Sequence, residues 1–484
     1  MDSSKRGLVA ALMVAMFLGA VEGTIVTTAM PTIIKDLNGF EIISWTFSLY
    51  LLTSAVSTPV YGKLSDLYGR KNILSIGILI FIAGSSLCGL SQNMYQLIAF
   101  RAIQGFGAGS IFTITYTIVG DVFEIEQRAK IQGIISTVWG VASLAGPFLG
   151  GFLIDSLSWH WIFFINVPFG ILSVIMLQKN FAEKFVKSKH KIDFLGIIVL
   201  MGAIILLLYG SLAGGEGSKW LSPLVIFLVL ASLILFVAFY FVERKAKEPI
   251  VPFDIFTKSS ITVNAISFLS CVILIGADVY MPLYIQNVLG YGAKISGLAM
   301  APMSLSWLLS SFIISKAILR YGEKFVIIIS SAIIIVSTAL LLTLQSSSSI
   351  TYIIIFSLIM GFGFGGSFTT LTIMVQESVG YDKRGAAMAS NSLIRTMGQT
   401  IGISILGSLF NMNIVNFFNN KGIKGIVPND LYSSKMSETG ISSEQVIQSL
   451  YSSLHIIFII LTLVAVMCLA LSLILKSKLK KQES

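Results

Sequence analysis

Apolar runs of about twenty residues recur from one end of this chain to the other, and no other feature limits its fold so severely. A helix needs about 20 mostly apolar residues to cross the hydrocarbon core of a bilayer. Fourteen segments meet that length: 7–30, 43–62, 72–91, 95–119, 131–154, 161–178, 193–213, 221–242, 259–287, 294–317, 325–344, 350–376, 386–410 and 450–475. In lipid every backbone polar group must be satisfied within the protein, so such segments are helices. Composition agrees, with 55% hydrophobic and 12% charged residues where soluble domains carry about 25% charged. The expectation is an all-α integral membrane protein with fourteen transmembrane helices. The opening MDSSKRG leads into a run of spanning length with no A-x-A cleavage site behind it, so that run reads as a first span rather than a signal peptide.

An even number of spans puts both termini on one side, and the distribution of Lys and Arg selects the cytoplasm. Of the 33 basic residues, six fall outside (Lys35, Lys219, Lys294, Lys421, Lys424, Lys435), two are embedded (Arg101, Arg395), and the other 25 are cytoplasmic. The net charge of +10 is thus a topological signal facing anionic lipid, not a nucleic-acid footprint. Residues 243–258 form a basic cytoplasmic loop, and 411–449 a polar outer loop expected to be irregular or partly helical. Cys88, Cys271 and Cys468 lie in apolar runs, and His160, His190 and His455 are isolated. Neither set has metal-ligand spacing.

An internal repeat organises the spans. IQGFGAGSIFTITYTIVGD (103–121) overlays IMGFGFGGSFTTLTIMVQE (359–377) at an offset of 256, with eight of nineteen positions identical. The same offset carries Arg128 onto Arg384, Gly146 onto Gly402 and Gly151 onto Gly407, while KLSDLYGRK (63–71) matches KAILRYGEK (316–324) at 253. Residues 1–178 then form one six-helix half, 259–484 the other, and 179–258 two additional helices with their linkers. Two parallel six-span repeats are a transporter architecture.

Charged and glycine-rich motifs punctuate the first half. GKLSDLYGRK supplies Gly62, Asp66, Gly69 and Arg70, and GDVFEIEQRAK supplies Asp121 and Arg128. Asp66 suits the positive end of a helix dipole, and Arg70 can pair with Asp121, so together they read as a conformational latch. The second half has Leu319 for the Asp and Glu323 for the Arg. The fourth span opens LIAFRAIQGFGAG: its Arg101 cannot lose its charge and at this depth needs an anion or a water-filled cavity. In the fifth, GVASLAGPFLGG places Gly140, Gly146, Pro147, Gly150 and Gly151, residues that bend a helix and let a neighbour approach closely.

These motifs resemble the cytoplasmic-loop, fourth-span and antiporter motifs of the major facilitator superfamily. With WHWIFFINVPFG (159–170), VEGTIVTTAMP and the span count, the whole chain resembles the superfamily's fourteen-span drug:proton antiporters, which usually carry Asp where this chain has Glu22. The resemblance implies a major facilitator fold and a proton-coupled exporter of lipophilic, often cationic, drug-like compounds working by alternating access. It also implies a location in the cell membrane. One physiological substrate, such as a peptide, amino acid, bile acid or lipid precursor, is the alternative. No nucleotide-binding loop, metal cluster or nucleophile constellation is recognisable in the sequence. The expectation is therefore a non-enzyme, working as a monomer among membrane lipids, with no cofactor, ATP or nucleic-acid partner and the proton gradient as energy source.

The repeat gives Glu22 a counterpart: adding 256 reaches Asp278 in the ninth span. In this fold both helices border the central cavity, so the two carboxyls are expected to face it, Glu22 as the main proton site with Asp278 sharing proton or substrate. Arg101 would tune or pair with Glu22, and Arg395 would pair with Asp278 or snorkel to the rim. Gln104, Phe112, Tyr116, Trp139, Tyr280, Tyr284, Gln286, Trp307, Phe368 and Asn391 are expected to line the cavity, an apolar wall with few polar anchors.

Overall fold

The computed structural model describes residues 3–37, 43–183, 193–215, 220–246, 249, 251–423 and 442–475. The first repeat comprises α1 (Ser3–Leu37), α2 (Ile43–Tyr68), α3 (Arg70–Gly89), α4 (Met94–Val122), α5 (Ile125–Ser156), α6 (Trp161–Phe164) and α7 (Asn166–Asn180). Next come α8 (Phe194–Gly215) and α9 (Pro223–Lys245). The second repeat comprises α10 (Lys258–Asn287), α11 (Ala293–Tyr321), α12 (Glu323–Leu341), α13 (Ile350–Glu377), α14 (Arg384–Asn420) and α15 (Ser443–Ile474). With α6 and α7 counted together, the described residues form fourteen long helices. Twelve are long and apolar enough to cross a membrane by length and composition. The other two, α2 and α5, are rich in Ser, Thr and Gly, and both pack against the opposite half.

The two halves repeat one packing scheme. In the first, α4 packs against α2 and α3, and α1 against α5 and α7; in the second, α13 packs against α11 and α12, and α10 against α14 and α15. Each half has its own hydrophobic core, one drawn from residues between Leu8 and Phe181 and one from residues between Cys271 and Cys468. Small residues set the closest approaches: a Cβ on Gly107 would strike the backbone of Phe81, and one on Gly365 the backbone of Trp307. The α2–α3 and α11–α12 turns also match, since Gly69 (φ 92°) and Gly322 (φ 81°) take the left-handed conformation that favours glycine.

Across the halves, α2 packs against α14 and α5 against α11. These contacts run from the end carrying Asp66 and Arg128, called here the latch end, where Gly62 meets Ala389 and the Gly385 carbonyl. Farther from the latch end Gly23, Asp278 and Gln286 are exposed, whereas Gly140 of α5 still lies against Ser304 of α11. Helix α8, apolar on all sides, lies over the α2–α14 seam with Trp45 5.7 Å from Tyr209. The stretch 411–449 is partly helical, within the expectation. Helix α14 continues through Asn420 and α15 begins at Ser443 behind a Ser442–Gln445 capping box; residues 424–441 lie outside the described residues.

Candidate functional site

Glu22 sits just past the middle of α1 and is fully buried. Its Oε1 pairs with Arg101 Nη1 of α4, and its Oε2 accepts from Asn166 Nδ2 of α7 at 2.8 Å. The same Asn166 amide donates to Ser85 Oγ of α3 at 2.9 Å. Arg101 further donates from Nη1 to Gln104 Oε1 (2.8 Å) and from Nε to the Thr46 carbonyl (3.2 Å), and lies 4.1 Å from the Tyr50 ring centroid. Glu22 thus belongs to a closed network inside the first half rather than to the cavity wall, and Gln104 belongs to that network too. The reason is counter-charge: a buried carboxylate persists only when paired and hydrogen-bonded, and α4 and α7 supply both.

Asp278 has the equivalent place in α10 and the opposite environment. It is exposed, with Val279, between the buried Ala277 and Tyr280. The repeat explains why. The counterpart of Arg101 is Ser357, whose hydroxyl donates to Met300 Sδ (3.6 Å), and the counterpart of Gln104 is Met360, fully buried in the apolar core. Among the described residues no cation pairs with Asp278. Arg395, expected either as its partner or as a snorkelling residue, instead donates from Nη2 to Thr372 Oγ1 of α13 at 3.0 Å.

The aromatic candidates divide. Phe112 stacks on Trp139 (5.3 Å, 22°) and its repeat image Phe368 on Trp307 (5.2 Å, 4°). The indoles come from α5 and α11, which face each other: a Cβ on Gly140 would lie 3.2 Å from Ser304. Tyr116 lies nearby on α4, its carbonyl accepting from Gln376 Nε2 at 2.8 Å. Tyr280 and Tyr284 are not cavity residues. Tyr280 is buried against Phe410 (5.4 Å), and Tyr284 donates to the Gln345 carbonyl (2.7 Å) beside Phe458, both inside the second half. Asn391 donates to Asn264 Oδ1 (2.8 Å) and Ser267 Oγ (3.1 Å), joining α14 to α10. Gln286 is exposed on α10.

At the latch end Asp66 accepts from the backbone N–H groups of Gly385 (3.1 Å) and Ala386 (3.0 Å), the first turn of α14. A carboxylate at a helix N-terminus is favoured by the dipole and by the unsatisfied N–H donors there. Arg70 bridges Asp66 (2.8 Å) and Asp121 (2.9 Å), donates to the Tyr381 carbonyl (3.0 Å) and covers the Tyr381 ring. Two further pairs cross between the halves. Arg128 binds Glu377, and Arg384 binds Asp121 at 2.7 Å. Each arginine and acid of one pair is the 256-offset image of the other, a relation already visible in the repeat. Two contributors had no such signal. Glu183 accepts from the Arg70 and Lys71 N–H groups (2.7 and 3.0 Å), capping α3, and Gln132 Nε2 donates to Gln376 Oε1 at 3.2 Å.

The glycines of α5 serve different neighbours. A Cβ on Gly146 would collide with Thr24 of α1, while one on Gly151 would meet open space; Gly150 is buried. Pro147 falls within α5, but its side chain lies outside the described residues.

Comparison with known proteins places this geometry. The model of the Major Facilitator Superfamily matches residues 12–194 and 180–403. The multidrug transporter protein MdtP of Bacillus subtilis (strain 168) is 35% identical over 87% of this chain and 78% of its own length. Multidrug resistance protein 3 of the same organism is 34% identical over 92% and 85%. The multidrug efflux pump SdrM of Staphylococcus aureus (strain N315) is 31% identical over 83% and 89%. The crystal structure of the human organic anion transporter MFSD10 superposes with a TM-score of 0.66, covering 96% of this chain and all of that one at 12% identity, a likeness of fold.

Proposed function

The chain belongs to the major facilitator superfamily, and from that premise we propose that it is a secondary active exporter. It would antiport protons against lipophilic, often cationic, drug-like compounds, moving them out of the cytoplasm across the cell membrane by alternating access. The names of its relatives support efflux, the glycine-rich α5 motif supports antiport, and the basic loops support cytoplasmic termini.

The observation that carries the coupling is the contrast between equivalent acids: Asp278 is open and unpaired, whereas Glu22 is closed on Arg101 and Asn166. With the latch end cytoplasmic and closed, the cleft opens outward, and Asp278 takes a proton there. Reversal exposes it to the cytoplasm, where a cationic substrate competes with the proton for one carboxylate. Because only one occupant is held at a time, proton entry drives export. The network of Asp66, Arg70, Asp121 and Arg384 holds the outward-open conformer and must open for the reverse one. The Glu22–Arg101 pair keeps the first half rigid, so the shared cavity changes exposure while the buried charges stay matched.

Transport into everted vesicles with an imposed pH gradient, using ethidium, tests this reading. Gradient-dependent accumulation that vanishes in Asp278→Asn is expected. Full activity of that variant would remove Asp278 from the coupling.

A further inference from the structure

Two arginines are embedded in this protein, and their surroundings differ. Arg101 has a carboxylate, an amide, a carbonyl and an aromatic face. Arg395, on α14, has a single hydrogen bond, to Thr372. Its Nε is buried with no acceptor, and among the described residues no carboxylate pairs with it. The neighbouring titratable groups are the Tyr116 phenol of α4 and the Cys271 thiol of α10, both uncharged at neutral pH. A guanidinium keeps its charge when buried and presents five donors in a planar fork suited to carboxylates. The group is therefore held ready with most of its donors unused, beside α4 of one half and α10 and α13 of the other, about 15 Å along α14 from the latch contact at Gly385.

It is also held against an aromatic column. The guanidinium carbon lies 5.0 Å from the Phe368 ring centroid, and Phe368 stacks on Trp307 at 5.2 Å and 4°. Across the α5–α11 contact the Phe112–Trp139 stack repeats the pattern, with no arginine against it among the described residues. From Cys271 to Asp278 the helix rises about 10 Å, so the cationic and acidic groups of this region are well separated along the cavity.

We propose that Arg395 is an anion-binding subsite of the transport cavity, taking the carboxylate of an aromatic substrate whose ring enters beside Trp307 and Phe368. The proposal rests on the exporter reading for its physiological meaning and extends the substrate class to aromatic anions and to zwitterions that also reach Asp278. Binding arises from the charged fork and the stacked rings, and needs no proton gradient.

Two probes of one ring system and opposite charge test it: 9-anthracenecarboxylate and 9-(aminomethyl)anthracene. Their binding to the full chain in lipid nanodiscs is read by energy transfer from tryptophan. The wild type is expected to bind both. Arg395→Gln should weaken the carboxylate at least about tenfold, the scale of one charge-assisted hydrogen bond, and leave the amine unchanged or tighter. Arg395→Lys, which keeps the charge and loses the fork, should fall between, and it serves as the test if the glutamine variant does not fold. The proposal is overturned if the wild type fails to bind the carboxylate, if Arg395→Gln binds it as before, or if both probes weaken equally. Everted vesicles separate the two claims: carboxylate binding without gradient-driven uptake supports the subsite and removes the exporter reading instead.

Discussion

Glu22 and Asp278 occupy one position of a duplicated helix, yet one is sealed and the other open. The helices that carry them do not account for this; their neighbours do. In the first half α4 offers Arg101 and Gln104 and α7 offers Asn166, and the carboxylate closes on them. In the second half the places of Arg101 and Gln104 hold Ser357 and Met360, and the carboxylate is left exposed. The two positions carry a Glu and an Asp, and their different neighbours set them apart: Glu22 is closed within the first half, while Asp278 stays exposed, which is what the proposed exchange of proton and cation requires.

The largest expected effect follows from removing the open member. Asp278→Asn should reduce gradient-driven efflux to background while leaving thermal stability close to wild type, since no ion pair is lost; fluorescence-based transport and thermal unfolding read the two. Disturbing the sealed member should do the reverse. Arg101→Gln leaves Glu22 buried without its counter-charge, at a cost of about 3–5 kcal/mol, seen as a lower unfolding temperature. The double variant Glu22→Gln/Arg101→Gln should recover most of that loss. If Arg101→Gln is as stable as wild type, the division between scaffold and cavity acid is wrong.

Smaller effects are expected at the latch. Asp66→Asn replaces a charged acceptor of two helix N–H groups, about 1–3 kcal/mol against the latched conformer. Cross-linking of cysteines placed across the latch end should therefore decrease, with turnover altered and ligand binding retained. The smallest difference separates the crossed pairs. Asp121 is nearly buried while the Glu377 side chain is 38% exposed, and exposed pairs contribute at most about 1 kcal/mol. Arg384→Gln should accordingly loosen the latch more than Arg128→Gln by the same cross-linking measure. Equal effects would mean that repeat symmetry, not burial, sets their strength.

Much of this was legible in the sequence, for identifiable reasons. Span positions followed from hydrophobic length, and the matched packing of the two halves from the 256-residue offset. The latch acid and arginines stood out because charges flanking apolar runs are few. Hydropathy understated α2 and α5, where Gly62, Gly133 and Gly140 lie against the opposite half and the Ser57 and Thr58 hydroxyls bond to α4. What was not legible was orientation about each helix axis. Glu22 was expected to share the cavity with Asp278, and Tyr280 and Tyr284 to line it, because a residue's place along a helix is readable while the face it turns inward depends on neighbours distant in sequence. Glu183 and Asn166 were missed for the same reason, though the repeat would have flagged the loss of Arg101 at Ser357.

Proton release on substrate binding measures the division of roles most directly. Purified protein in weakly buffered solution at mildly acidic pH, where an exposed carboxyl still holds part of its proton, is mixed with an organic cation such as ethidium, and the protons displaced are read with a pH-sensitive dye. Release should be undiminished in Glu22→Gln/Arg101→Gln and absent in Asp278→Asn. Release that persists in Asp278→Asn and disappears in the double variant would assign the exchange to the sealed acid and contradict the division of roles.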